Sequence, residues 1–258
     1  MRSLSLVTTF KDSNGSLTRA MSEIVPILDR THSRKGAVVP KSTRRSLVET
    51  LRSDGWVVEF DKGRGIGRVR RQALRLGLAL GTGHIHFCEA DRLTVWAQRR
   101  PEELARIARR ILDYDFVVIG RTERAFRTHP RTQRDTEAVT NAVCSLLLGR
   151  MLDVTCASRG FSKRAAQYVV AKSKASGYET DVEWPMLMFG RREFRSGYIA
   201  SDGLEYEDWL KEPNRVRKMG YESWLRAKEM DRKEWNVRTR ATVRMIQTAL
   251  RLHANSLS

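Results

Sequence analysis

The chain has 258 residues, 48 Lys and Arg against 30 Asp and Glu, and a formal net charge of +18. A hydrophobic content of 41%, with only 6 Pro and 17 Gly, excludes a disordered chain, a collagen-like repeat and a small disulfide-stapled scaffold. The charge asks for an anionic partner: nucleic acid, a membrane surface or a phosphorylated ligand.

Leu4–Phe10 is a short β-prone run closed by the turn residues that follow it, and Leu17, Met21, Ile24 and Leu28 predict a helix over 16–29. Gly36–Val39 makes a second strand, and Ser42 is placed to cap a helix reaching Ser53. Trp56–Phe60 is a third strand. From Ile66 the set Ile66, Val69, Ala73, Leu76 and Leu80 recurs every three or four residues, predicting a helix that ends at Gly81. His84–Cys88 is a fourth strand. Pro101, with Glu102 and Glu103 in the first turn, opens a helix whose apolar face is Leu104, Ile107, Ala108, Ile111 and Leu112. After a fifth strand, Phe116–Ile119, a helix over 132–148 is expected to bury Val139, Ala142, Val143, Leu146 and Leu147. This alternation predicts an α/β fold with a mostly parallel sheet covered by helices on both faces.

Beyond Gly149 the alternation loosens. Ser162 caps a helix through Val170, Trp184–Phe189 fits helix or strand, and Phe194–Ala200 fits a strand. From Trp209 the chain is mostly helical. Its last helix is expected to bury Trp235, Thr239, Val243, Ile246 and Leu250, with Arg232, Arg238, Arg240 and Arg244 outside. Docking of that stripe on the domain is favoured; a basic amphipathic helix lying on anionic lipid is the alternative. With no repeat or linker, the expected division is a domain over 1–205 and a helical extension over 206–258. Three cysteines at no metal-ligand spacing point to a reducing compartment. No window approaches the ~18–20 apolar residues of a membrane span, and the N-terminal stretch is too weak for a signal peptide. The expected location is cytoplasmic, with peripheral contact at the inner membrane face left open.

In open α/β sheets ligands bind outside the carboxyl ends of the strands. Asp12, Asp61, Lys62, Glu89, Asp91 and Arg121 follow such ends, so acids and bases converge on one edge. Glu89 and Asp91, one residue apart, can hold a hard divalent cation through oxygens. That cation can neutralise a diphosphate, whose other oxygens Arg64, Arg68 and Arg92 can meet. His84 and His86 share one strand face, where core histidines are the expectation, and His129 is expected to be a plain loop residue, with approach to the metal or an acceptor phosphate as the alternative. Gly63, Gly65 and Gly67 do not have dinucleotide-fingerprint spacing and follow a third strand, which argues against a nicotinamide oxidoreductase.

The stretch Ile85-His86-Phe87-Cys88-Glu89-Ala90-Asp91-Arg92 resembles the strand and Asp-x-Asp motif of GT-A nucleotide-sugar glycosyltransferases, family 2 in particular, with Glu89 in place of the first Asp. Gly65–Leu74 is similar to that family's Gly-rich turn and helix, and Asp153–Ser162 to a stretch of polyprenyl-phosphate hexosyltransferases. The resemblance runs over residues 4–200. It implies a GT-A fold and transfer of a hexose from a nucleotide-diphosphate sugar, with Mn2+ or Mg2+ on the donor diphosphate. It also implies that Asp12 and Asp61 meet the nucleotide base and that Asp91, with Glu89, carries the metal. The acceptor it leaves open, phosphorylated or lipid-linked among the options.

Glu179–Trp184 falls where many inverting members place a catalytic acid pair, so Asp181 is the first choice for a base and Glu183 the second. With a phosphate acceptor no base is needed and both acids would bind sugar hydroxyls; a retaining member would use no such base, and exposed charges at a helix start are the plain alternative. The first loop lacks the family's Pro-x-x-Asn-Glu pattern, which leaves a non-catalytic GT-A-like protein as one alternative. A basic nucleic-acid-binding protein is the other, disfavoured because no recognition helix, aromatic sheet platform or zinc module is evident. Arg64, Arg68, Arg71 and Arg75 fall on one helix side, either as a solvated face or as a border to phosphates.

Overall fold

A computed structural model describes residues 3–10, 16–63, 65–156, 158–206 and 212–257. The first half alternates strand and helix: β1 (Leu4–Thr9), α1 (Ser16–Asp29), β2 (Arg34–Val39), α2 (Arg45–Ser53), β3 (Trp56–Phe60), α3 (Ile66–Ala79) and β4 (His84–Cys88). Then come α4 (Ala90–Arg99), α5 (Pro101–Ile111), β5 (Phe116–Arg121), α6 (Glu123–Arg127), α7 (Arg131–Leu147), β6 (Ser158–Ser162) and α8 (Lys163–Lys172). The chain finishes with α9 (Thr180–Phe189), β7 (Ser196–Ser201), α10 (Pro213–Met219), α11 (Tyr221–Glu229) and α12 (Arg232–Leu257).

The seven strands form one sheet in the order β3-β2-β1-β4-β6-β5-β7. All neighbours are parallel except β6, which runs antiparallel to β4 (His86 opposite Gly160) and to β5 (Phe116 opposite Phe161). Successive side chains point to opposite faces. Val7 and Ile85 lie under Gly77 of α3, while His86 on the other face meets Trp96 of α4 edge-on. Gly36 of β2 is equally tight, because a Cβ there would meet Leu76 at 2.8 Å. No described helix is long and apolar enough to cross a membrane.

Several expectations need correction. The second helix starts at Arg45, with Arg44 rather than Ser42 at its cap. The residues after Glu89 are helical at once, as α4, and Ser158–Ser162 is a strand. Trp184–Phe189, open between helix and strand in the sequence, lies in a helix, and Ser162 caps α8 as expected by accepting from the Ala165 N–H. Helix α7 is turned away from its apolar stripe: Leu146 is 81% and Val139 51% exposed, while Thr132, Gln133, Glu137, Thr140 and Cys144 are buried. Helix α12 is out of phase with its predicted stripe in the same way. Thr242, Met245 and Ala249 face inward, and Val243 and Leu250 are about half exposed. Met245 and Ala249 pack with Cys144, Leu152, Val154 and Val182 in a second small core. Both helices give up apolar burial because their inner faces border a polar cavity.

Candidate active site

Two cavities open at the carboxyl edge of the sheet. The larger, of about 970 Å³, is walled by Thr9 and Phe10 at the end of β1, Pro40 and Lys41 after β2, and Asp61, Lys62 and Gly63 after β3. The smaller, of about 170 Å³, lies across β4 from it, enclosed by Arg92, Arg121, His129, Thr136, Glu137, Thr155 and, from α12, Arg238 and Thr242. Glu89, Asp91 and Tyr178 line both. The two cavities therefore share a wall at the end of β4 and the first turn of α4.

Arg70 organises that junction. Its side chain is 5% exposed, and its Nε and Nη2 donate to Glu89 Oε1 at 3.0 and 2.6 Å. Its Nη1 donates to Asp181 Oδ1 at 2.8 Å and to Thr180 Oγ1 at 2.9 Å. One guanidinium thus ties α3, the end of β4 and the start of α9. Burial penalises its charge, but the Asp181 and Glu89 carboxylates outweigh this and raise its pKa. Its place on α3 gives it away: it lies four residues from Ile66 and three from Ala73, on the side that faces inward. A lone base on an apolar phase is the signal that sequence reasoning passed over.

Asp181 sits in the first turn of α9 and lines the smaller cavity. Burial pushes its carboxyl up to about 6, against the guanidinia of Arg70 and Arg159. Pro185 within α9 has no N–H for the Asp181 carbonyl four residues back, and Arg159 Nη2 donates to that oxygen at 3.4 Å instead. Glu183, the other member of the predicted pair, faces away from the cavity. Its carboxylate accepts from the Lys174 and Ala175 N–H groups at 2.7 and 3.0 Å and from Ser173 Oγ. Glu183 therefore shapes the 173–178 loop and is not placed to touch a ligand.

That loop rests on the N-terminus of α3. Gly67 N–H donates to the Ser176 carbonyl at 2.9 Å, and a Cβ on Gly67 would meet the Ala175 and Gly177 carbonyls at 2.7 and 2.8 Å. Gly65, at φ 99°, supplies the turn that only glycine adopts readily. The close approach brings Tyr178 to the junction of the cavities.

The far wall of the smaller cavity is a charge network. Arg121 Nε and backbone N–H donate to Asp153 Oδ2 at 2.7 and 2.8 Å, and its Nη2 pairs with Glu137 at 2.8 Å. Burial would raise Asp153, but Arg121 more than offsets it and leaves the carboxyl at about 2. Arg238 reaches Glu137 from α12 at 3.6 Å, so the residue expected outside is a wall of the site. His129 is buried rather than a plain loop residue. Its Nδ1 pairs with the Ala125 carbonyl at 3.1 Å, and burial, with Arg121 and Arg92 nearby, holds its pKa well below 6.5. It is a neutral imidazole at the edge of the cavity.

Of the other predicted residues, Asp61 lines the larger cavity, whereas Arg68 lines a separate groove behind it. Asp12 and Arg64 lie outside the described residues. His86 is a core residue, bonded to His32 at 3.1 Å and Ser158 at 2.9 Å.

For a divalent cation the donors on hand are Asp91 and the Glu89 oxygen that Arg70 leaves, Oε2. No cluster of three or more acids, histidines or cysteines is suited to a metal among the described residues. The described residues alone make no cage. Two carboxylates beside a cavity do fit the Mg2+ or Mn2+ mode, in which substrate phosphates and waters complete the shell.

No family model matches the chain, and no curated protein matches it. Among solved structures, glucosyl-3-phosphoglycerate synthase from Mycobacterium tuberculosis in complex with UDP is similar at 14% identity and a TM-score of 0.63, over 98% of this chain and 80% of that one. The same enzyme with Mn2+, UDP-glucose and phosphoglyceric acid is similar at 14% identity and a TM-score of 0.56, over 98% and 80%. A mycobacterial protein matches at 16% identity and a TM-score of 0.58, over 77% of this chain and 65% of that one. At such identities the likeness speaks for the fold. The chain has the α/β GT-A fold of nucleotide-sugar glycosyltransferases, with a mostly parallel seven-stranded sheet and a C-terminal helix laid against its site.

Proposed function

We propose that the protein transfers a hexose from a nucleotide-diphosphate sugar, held in the larger cavity, to an acceptor in the smaller one. The observation that carries this is the shared wall. Glu89, Asp91 and Tyr178 border both cavities, so the sugar-phosphate bond of a donor would lie against the acceptor's nucleophile. The fold supports it, and similar structures carry UDP-glucose, Mn2+ and phosphoglyceric acid. A phosphorylated acceptor in the smaller cavity would meet Arg92, Arg121 and Arg238, sharing the last two with the Glu137 carboxylate that already holds them. The transferase unit is residues 1–205, and the extension over 206–258 contributes the Arg238 and Thr242 wall.

Asp91 and Glu89 Oε2 would hold Mn2+ or Mg2+, which when bound supplies positive charge against the departing diphosphate. Asp61 stands at the nucleotide end of the donor cavity. With a hydroxyl acceptor, Asp181 acts as base. Its Oδ1 is fixed by Arg70, and its Oδ2 takes the proton as the acceptor oxygen bonds to the anomeric carbon. The bond to the diphosphate breaks, and the diphosphate leaves with the electron pair. The neutral His129 donates no charge to this step.

A thermal-shift series with UDP-, GDP- and TDP-glucose, each with and without Mn2+, tests the donor. One nucleotide class should raise the melting temperature, more with Mn2+ than without, since ligands bound only by the native state stabilise it. No shift with any of them, together with salt-sensitive RNA or DNA binding, would assign the protein to nucleic acid instead.

A further inference from the structure

A third concavity, of about 490 Å³, opens behind the donor cavity between the edge strand β3 and α3. Its cations are Lys62, Arg68, Arg71 and Arg75, and its one acid is Glu59. Glu59 is engaged by a neutral group, accepting from Gln72 Nε2 at 2.8 Å, while Gln72 Oε1 accepts from the Lys62 N–H at 3.0 Å. None of the four cations makes an ion pair with a carboxylate among the described residues. Arg71 is buried at the floor, its Nη1 held by Ser173 Oγ at 3.2 Å and by the Ala175 carbonyl. Burial, and then the like charges of Arg75 and Arg68, hold its pKa below the ordinary arginine value, against Glu183.

Arg68, Arg71 and Arg75 stand three and four residues apart on α3, so like charges stack along one side of the helix. Such spacing destabilises a helix unless an anion relieves it. A short open groove with three cations gathered around one buried guanidinium suits a compact phosphorylated ligand, and RNA is the competing occupant that the test separates. We propose that this groove binds a phosphorylated small ligand whose phosphoryl oxygens meet Lys62, Arg68 and Arg75 over Arg71. The groove borders the donor cavity, with Lys62 and Gly63 lining both. Val57, on the same face of β3 as Glu59, is 48% exposed, so the phosphate can belong to a lipid headgroup or to a soluble compound.

The test titrates inorganic pyrophosphate into the full chain with saturating UDP, so that the donor cavity is filled. Arg75→Glu and Arg68→Gln/Arg75→Gln alter exposed side chains, and their melting temperatures check the fold. Pyrophosphate should bind the unaltered chain and weaken about tenfold or more in both variants. Co-sedimentation with phosphatidylcholine vesicles containing phosphatidylinositol 4-phosphate, lost in the same variants, identifies a lipid headgroup. Pyrophosphate binding without vesicle binding identifies a soluble ligand. Equal pyrophosphate affinity in all three proteins overturns the proposal, as does RNA binding that depends on Arg75 with no pyrophosphate bound. If UDP itself does not bind, the donor assignment fails, yet the comparison of the variants still decides the groove.

Discussion

Arg70→Met is expected to destabilise the protein by about 3–5 kcal/mol in chemical denaturation, because it leaves the Asp181 and Glu89 carboxylates without their buried partner. The shorter apolar Met side chain keeps the packing of the stem, so most of the loss is electrostatic. The kinetic consequence separates this clamp from a purely structural one. Without the guanidinium, burial acts on Asp181 less opposed, and its pKa rises further above 6. The acid limb of the turnover profile should therefore move to higher pH in Arg70→Met and return most of the way in Arg70→Lys. Loss of stability with an unmoved limb would show that Arg70 holds the fold but does not tune Asp181.

Asp181→Asn is expected to lower turnover about 10²–10⁴-fold on a hydroxyl acceptor, the range of a positioned general base, while nucleotide binding is unchanged. The amide retains a hydrogen-bonding oxygen for Arg70, so the junction survives. In the unaltered protein turnover should fall about tenfold per pH unit below pH 6, as the carboxylate takes its proton. Stability runs the other way over that window. The native state holds the Asp181 proton up to about 6, whereas the unfolded chain releases it near the ordinary aspartate value of 3.8, so this group's contribution is full below 3.8 and is lost as pH rises through 6. Asp153, held at about 2, contributes the opposite slope: full above 3.8 and lost as pH falls through 2. Single-turnover rates and melting curves across pH 2–8 read both effects. A rate on a hydroxyl acceptor that does not change in Asp181→Asn would remove Asp181 from the chemistry.

The strand-helix alternation was legible because β1 to β5 are apolar runs between turn residues, and the periodicity of α3 and α5 matches the faces they bury. The strand-end rule then placed Asp61, Glu89 and Asp91 on one edge, where the cavities open. What resisted was polar burial. Strand β6, Ser-Arg-Gly-Phe-Ser, carries no apolar alternation, yet it is buried throughout, with Gly160 under Val117 and Ile111. Helices α7 and α12 turn threonines, Glu137 and Arg238 inward because these border the smaller cavity, so their apolar stripes mislead. Arg70 was hidden in a run of bases, and only its phase on α3 distinguishes it from Arg68, Arg71 and Arg75. Among the acids, Asp181 and Glu183 are two residues apart in one helical turn, and a helix cannot aim both at the same cavity.

The central claim is that the end of β4 receives the diphosphate of a nucleotide sugar. Calorimetric titration of UDP with Mn2+ into the unaltered protein and into Asp91→Asn tests it most directly. UDP should bind at one site, weaken about tenfold or more in the variant, and lose its dependence on Mn2+ there. Equal, Mn2+-independent affinity in the two proteins would contradict the account.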